Sequence, residues 1–349
     1  MKNATAFLVT LGTLFALAIV SLLYLLSDKQ VNHRYASFER HFIKDILTPT
    51  LSLNLKYTGY YFAGNTPHTL YLGNTKSPAH LVAIDATLKD TLNHNLQVST
   101  DSLTFRAIRV AVDSPFYYLS DGSKPFIYRG ALGGVATPWI TDARFTKAIP
   151  ISSNSAILIS ILSYENTFVK KTRGKSAEMH PDILEEQGEG IFSTDGMLLH
   201  DKETARTIYV YYYRNEYIVL DTTLHEVLRG NTIDTITQAQ IKTALITSKN
   251  SRTLAAPALK VNNLSAASRN LLYVQSNLLA RNENTEAFEQ SSVTDVYNLN
   301  SQSYLYSFYV PAFKKKKATE FVCMANNLYA LYGSYLVRYQ LPRDKNIVQ

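Results

Sequence analysis

The stretch TIYVYYYRNEYIVLDTTL, residues 207–224, carries five tyrosines within nine residues and almost nothing that water would favour. In an extended chain Ile208, Val210 and Tyr212 point one way, and Tyr209, Tyr211 and Tyr213 the other. A half-buried strand alternates apolar with polar side chains. This one is apolar or aromatic on both sides, so both of its faces must be covered.

The covering is sought in repetition. From residue 51 onward the chain consists of short runs rich in Val, Ile, Thr, Tyr and Phe, separated by turn residues, with Asp121-Gly122 and Asp195-Gly196 as hairpin-type dipeptides. HLVAIDATLKDTL (80–92) aligns without gaps on EYIVLDTTLHEVL (216–228), pairing Asp85 with Asp221, Thr87 with Thr223, Leu88 with Leu224 and Leu92 with Leu228. The offset, 221 − 85 = 136 residues, is three units of about 45. Asn298 stands in the aspartate position 77 residues after Asp221, which reads as two shorter units. Phe126 to Arg129 fills an early position, and Tyr335 to Tyr339 closes the series.

Units of this length built from four short strands make a β-propeller. Residues 51–341 number 291, which at about 48 per blade gives six, with five and seven as the neighbouring counts. In a propeller each blade lies face to face between two others, so its central strands are covered on both sides. Tyrosine suits that place, because its ring fills the wide outer part of the wedge while its hydroxyl finds a polar partner. The repeated aspartate is read as structural, accepting backbone N–H bonds in a turn. Residues 164–187 are too polar for a strand and read as a long surface loop; residues 237–247 are the best remaining helical candidate.

The N-terminus has a different texture. Residues 4–26 are 23 residues without a charge, about 34 Å as a helix, against a hydrocarbon core of about 30 Å. Bulky residues 22–26 stand where a signal-peptide cleavage site would need small ones, which favours an uncleaved transmembrane anchor over a cleaved signal. Lys2 precedes the segment and Lys29, Arg34 and Arg40 follow it, so charge does not orient it. A single N-terminal span on a large body suggests export, with the body on the periplasmic side of the inner membrane. Val31, Tyr35, Phe38, Phe42 and Ile46 then recur at helical spacing up to Thr48-Pro49, predicting an amphipathic juxtamembrane helix. The expected organisation is an anchor (1–26), a linker helix (27–50), an all-β propeller (51–341) and a tail (342–349). The only cysteine is Cys323, which excludes both a lipid-modified cysteine at the N-terminus and an internal disulfide.

The runs GIFSTDGMLLHD with TIYVYYYRNEYIVLDTTL (190–201 and 207–224), SKNSRTLAAPAL (248–259), TDVYNLNSQSYLYSFYVP (294–311) and NLYALYGSYLVRYQL (327–341) resemble uncharacterised six-bladed propeller proteins of Bacteroidota, similar in kind to TolB-like and NHL-type propellers. The resemblance implies a fold and an envelope location. It implies no activity and carries over no catalytic residue.

The chemistry in the sequence is sparse. The net charge of +7 is dispersed, its one dense cluster being Lys314 to Lys317, which reads as a solvated loop; no basic and aromatic surface suggests nucleic acid. The histidines form no HxH or HExxH pattern, although a propeller can gather His68, His80, His180 and His200 from distant blades. GxSxG and P-loop motifs are absent, and the acids Glu185, Glu186 and Glu189 fall in the polar loop. No catalytic, metal or cofactor residue is expected. The most unusual polar group is Arg214-Asn215-Glu216 between two apolar strands, either a plain turn or a ligand contact on one face of the disk. The expectation is a membrane-anchored, non-catalytic binding or scaffold module for a protein or envelope polymer. The alternatives are a hydrolase or lyase acting on an envelope polymer or lactone, and an accessory subunit of an export or peptide-modification assembly.

Overall fold

The computed structural model describes residues 2–31, 37–43, 47–99, 107–122, 124–188, 190–246 and 251–341. The expected tail, 342–349, lies outside the described residues, as do 32–36 and 44–46 of the expected linker.

Six antiparallel sheets stand in a ring. Blade 1 runs outward through Tyr60–Asn65, Thr69–Asn74, His80–Asp85 and Thr91–Asn95. Blade 2 runs through Ile108–Asp113, Phe116–Asp121, Phe126–Ala131 and Val135–Ile140, with Gln97–Val98 added in parallel at its outer edge. Blade 3 comprises Lys147–Pro150, Ser155–Leu162, Glu165–Thr172 and Glu178–His180, and blade 4 Gly196–Asp201, Arg206–Tyr211, Glu216–Leu220 and Glu226–Asn231. Blade 5 is Asn262–Ser268, Leu271–Ser276, Ser291–Asn298 and Ser303–Pro311. Blade 6 takes Glu320–Met324, Asn327–Tyr332 and Tyr335–Gln340 from the C-terminal end and its outer strand, Thr48–Asn54, from the other end of the chain. That last pairing runs antiparallel from Thr48 opposite Gln340 to Asn54 opposite Tyr335. The closing strand ends at Asn54, and blade 1 begins at Tyr60. Each innermost strand contacts the innermost strands of both neighbours, which closes the ring.

The core is divided among the blade interfaces. Ile157, Ile159 and Phe168 of blade 3 pack on Tyr209, Tyr211, Ile218 and Leu220 of blade 4. Ile208, Val210 and Val219 of blade 4 pack on Leu272, Val274 and Tyr297 of blade 5. The strand at 206–211 is therefore covered on one face by its tyrosines' neighbours in blade 3 and on the other by blade 5. Each such side chain contributes roughly 1.5–3 kcal/mol on burial. Several hydroxyls find partners: Tyr209 donates to Thr194 O (2.7 Å), Tyr329 to Ala86 O (2.8 Å), and Tyr117 shares its one hydrogen between Gln97 O and Gly134 O (2.8 Å each). The Tyr211 hydroxyl, by contrast, is buried without a hydrogen-bond partner among the described residues. Tyr217 lies opposite Gly230 in the ladder, and a Cβ there would sit 2.5 Å from the ring. Glycine is the residue that lets the ring lie flat across the strand.

The repeated aspartates are turn formers. Asp85 accepts from the N–H groups of Thr87, Lys89 and Asp90 at 2.7–2.8 Å, and Asp221 from those of Thr223 and His225 at 2.7 and 3.0 Å. Asn298 accepts from Asn300 and Ser301. The repeated leucine completes the turn: Leu88 and Leu224 both take left-handed backbone angles (φ 56° and 65°) and are buried. Burial alone would raise the Asp85 carboxyl, but bonds from Thr87, Asp90 and Lys89 hold it at about 2.

Several expectations are corrected. Among the described residues no helix is long and apolar enough to cross a membrane. The helix Lys2–Val31 forms and exposes Phe7, Leu8, Phe15, Val20 and Leu23, but the transmembrane anchor read over residues 4–26 is not supported. Thr10, Gly12 and Thr13 dilute its apolar surface. No juxtamembrane helix is found among the described residues after Val31. Phe38 instead is buried with Ile236, Val261, Leu278 and Ala280, and residues 41–43 run beside the outer strand of blade 5, where Ser307 donates to His41 O and Ile43 to Ser307 O. The spacing of Phe38 and Phe42 mimicked a helix because the two side chains dock at separate places, Phe42 stacking on Tyr309. Residues 164–187 are not a loop. Glu165–Thr172 is the third strand of blade 3, its polar residues buried with partners: Asn166 donates to Ile191 O and Thr194 Oγ1, and Lys171 pairs with Asp142 at 2.7 Å. The helix expected at 237–247 is irregular chain leading into the strand Thr243–Ile246, half of a hairpin with Ser251–Leu254. This hairpin, with the insertion carrying the helix Thr285–Gln290, stretches one blade to the 77 residues read as two. Asp195-Gly196 opens the innermost strand of blade 4 and makes no hairpin turn.

Candidate functional site: the axial cavity

An innermost strand has a neighbour on one side only, so its other edge presents unpaired N–H and C=O groups to the axis. Six such edges surround a cavity of about 1070 Å³. It lies at the face where the innermost strands begin and the second strands end, so its lining residues come from strand starts (Tyr60, Arg109, Lys147, Met197, Asn263, Glu320) and from positions just past second strands (Thr75, Gly122, Tyr212, Gly333).

Its charges are few and unlike one another. Lys147 is neutralised by Asp195, Nζ to Oδ1 2.5 Å. Arg109 is exposed in the cavity with its guanidinium 4.6 Å from the Tyr61 ring, and makes no ion pair among the described residues. Tyr61 is fixed in turn, its hydroxyl accepting from Val110 N–H at 2.7 Å. Glu320 is held through Oε2, which accepts from Phe62 N–H at 3.1 Å. Burial pushes the Glu320 carboxyl up to about 7, against the opposing pull of that hydrogen bond and of the Arg109 charge. On the far wall the Tyr212 ring carries the Lys260 ammonium at 4.1 Å; burial, then the charge of Asp195, pushes its phenol up to about 12. One unpaired cation, one desolvated acid and a set of aromatic and apolar surfaces can bind an amphipathic acid. Among the described residues no group of three metal-capable side chains occurs.

The residues singled out in the sequence lie elsewhere. Arg214 is wholly buried, its guanidinium 3.6 Å from the Tyr211 ring, with Nε on Glu216 (2.6 Å) and Nη1 on the carbonyls of Glu185 and Ser193. Asn215 is buried too, donating to Asp234 O at 2.5 Å, and Glu216 also pairs with Arg229. The three form one cluster that ties blade 4 to the segments before and after it. The histidines stay apart. His68 is an exposed turn residue of blade 1, His80 begins that blade's third strand, and His180 ends blade 3. His200 lies in the innermost strand of blade 4, 3.3 Å from Thr207 Oγ1, its pKa lowered first by burial and then by Lys202. None of the four lines the cavity. Arg109, Lys147, Tyr212 and Glu320 belong to no motif. Only the blade register identifies them, since each sits at the start of an innermost strand or just past a second one.

No family model matches the chain, and no curated protein does. Solved structures do. A DUF4221-family protein of Bacteroides vulgatus aligns over 85% of this chain and 97% of its own at 14% identity, with a TM-score of 0.54. A Bacteroides fragilis protein provisionally described as exported aligns over 88% and 95% at 10% identity and a TM-score of 0.49; a streptogramin B lyase over 87% and 97% at 7% and 0.47. At such identities the likeness establishes the fold alone: an all-β, six-bladed propeller.

Proposed function

We propose that this chain is a non-catalytic binding module of the TolB-like or NHL-like kind, working outside the cytoplasm. It takes a carboxylate-bearing, partly apolar segment of a protein or envelope polymer into its axial cavity. The observation that carries this reading is the Arg109 guanidinium, stacked on Tyr61 in the cavity without a carboxylate partner among the described residues. An arginine held on an aromatic face keeps its fork free for a bidentate carboxylate. Tyr212, Met197 and Leu199 offer an apolar wall for the rest of the ligand. The uncharged, exposed surface of residues 7–23 supports export. The hydrolase or lyase and accessory-subunit alternatives have no comparable observation in their favour.

The test is titration of the full chain with N-acetylphenylalanine and with its amide, followed by calorimetry. Saturable binding of the acid, weak binding of the amide, and loss of that difference in Arg109→Gln are expected. Equal binding of the two probes, or none, defeats the reading. Fusing alkaline phosphatase to the C-terminus tests the location; an inactive fusion at normal expression places the body inside.

A further inference from the structure

We propose that a second pocket, beside the axial cavity on the same face, binds a carboxylated sugar, a function beyond the axial reading. The pocket has a volume of about 530 Å³, within the range of small-ligand sites, and lies between the segment 257–260, blade 5 and the turn that leads into blade 6. Its floor holds a polar group that the protein leaves unpaired: Ser292 is 4% exposed and its Oγ has no hydrogen-bond partner among the described residues. Gln275, 6% exposed, lines the pocket with it. Buried polar groups are nearly always paired, and an unmade bond at such a place costs about 1–3 kcal/mol. An amide supplying donors and acceptors beside a hydroxyl is suited to a ligand rich in hydroxyl groups.

The rest of the lining narrows the class. Phe288, half-buried on the helix Thr285–Gln290, offers a flat apolar face against which the C–H side of a sugar ring can lie. Two ammonium groups border the pocket. Lys260 donates to Asn263 Oδ1 at 3.0 Å and Lys317 to Phe288 O at 2.9 Å, which leaves each with further hydrogens to give. Burial lowers both lysines' pKa, with Asp195 opposing it at Lys260 and Glu289 at Lys317, so both stand to gain from an added anion. With Glu289 the only carboxylate in the lining, the pocket carries one net positive charge. Bidentate phosphate sites commonly use arginine forks or a nest of backbone N–H groups, although lysine also binds phosphate as a point charge. Here two point charges flank an amide, a hydroxyl and one ring, an arrangement suited to a single carboxylate on a polyhydroxylated body.

The experiment is a titration of the full chain with methyl β-glucuronide, methyl β-glucoside and inorganic phosphate, read by calorimetry. The glucuronide is expected to bind about tenfold more tightly than the glucoside, a difference of about 1.4 kcal/mol. Lys317→Gln should abolish that preference, Ser292→Ala should weaken both sugars, and Arg109→Gln should change neither. Melting temperatures near wild type would confirm that Lys317→Gln and Ser292→Ala fold. Absence of saturable sugar binding, equal affinity for the two sugars, phosphate binding as tightly as the glucuronide, or glucuronide binding that responds to Arg109→Gln but not to Lys317→Gln would each overturn the proposal.

Discussion

Two arginines set two regions of the molecule against each other. Arg40, on the segment before the first strand, is 3% exposed and fully engaged: Nε and Nη2 on Asp295 at 2.8 and 3.2 Å, Nη1 on Glu283 at 2.6 Å and on Leu278 O at 2.9 Å. Its carboxylates are engaged as well, Glu283 by Tyr309 and Asp295 by Ser307. Arg109 shares the residue type and, with Tyr61 in place of Phe38, a similar aromatic neighbour. Yet it is exposed and pairs with nothing among the described residues. A buried arginine must be completed by the protein itself, because an uncompensated charge in the interior is too costly. An arginine in a water-filled cavity can be left incomplete, and its partner can come from outside. The difference separates a clamp from a receptor.

The largest effect expected on breaking this comparison is at the clamp. Arg40→Met should leave Glu283 and Asp295 buried without their cation and destabilise the protein by about 3–5 kcal/mol, read by denaturant melts. Adding Glu283→Gln and Asp295→Asn should recover part of that loss; a single variant within 1 kcal/mol of wild type would show the clamp to be ornamental.

Glu320 sharpens the receptor side. Its folded-state pKa of about 7 stands above the ordinary 4.5, so the folded protein holds a proton that the unfolded chain has lost over that window. Stability should therefore fall as pH rises from about 4.5 through 7, by roughly 2–3 kcal/mol. Glu320→Gln should flatten the profile and be the more stable protein at pH 8. A carboxylate whose titration in NMR centres near 4.5 would remove the basis of this expectation.

Smaller again is Asp85→Ala, which should cost about 1–2 kcal/mol by stripping the turn of its acceptor. Because the Asp85 pKa is depressed from 3.8 to about 2, its contribution is present above about pH 4 and lost as pH falls toward 2. An unchanged acid transition in the variant would contradict that linkage. The smallest effect on stability, under about 0.5 kcal/mol, is expected for Arg109→Gln, the variant that should abolish the preference for the acidic probe. A large loss of stability there would make Arg109 a second clamp.

The ring was legible in the sequence because a propeller repeats its burial pattern. The doubly apolar strand at 206–211 required two neighbours, and the matches at Asp85, Asp221 and Asn298 fall at or just past the ends of the third strands of blades 1, 4 and 5. Legibility failed where burial was polar. Glu165–Thr172 reads as a loop because it buries polar residues, of which Asn166 and Lys171 are satisfied by partners remote in sequence. Arg214 drew notice for its polarity, but it serves packing; Arg109 and Glu320 did not, because each is an ordinary residue made unusual by its position on an inner edge. A site assembled from six strand starts leaves no local pattern to find.

The pairing of residues 48–54 with 335–340 sets an order of assembly. The strand that locks the circle leaves the ribosome before any blade has been made, and its mate follows only after blades 1 to 5. Throughout translation that strand and the growing end of the disk each carry a bare edge open to other chains. A chain cut short before residue 335 would never hide those edges, so the ring closes only on a protein that reaches residue 340.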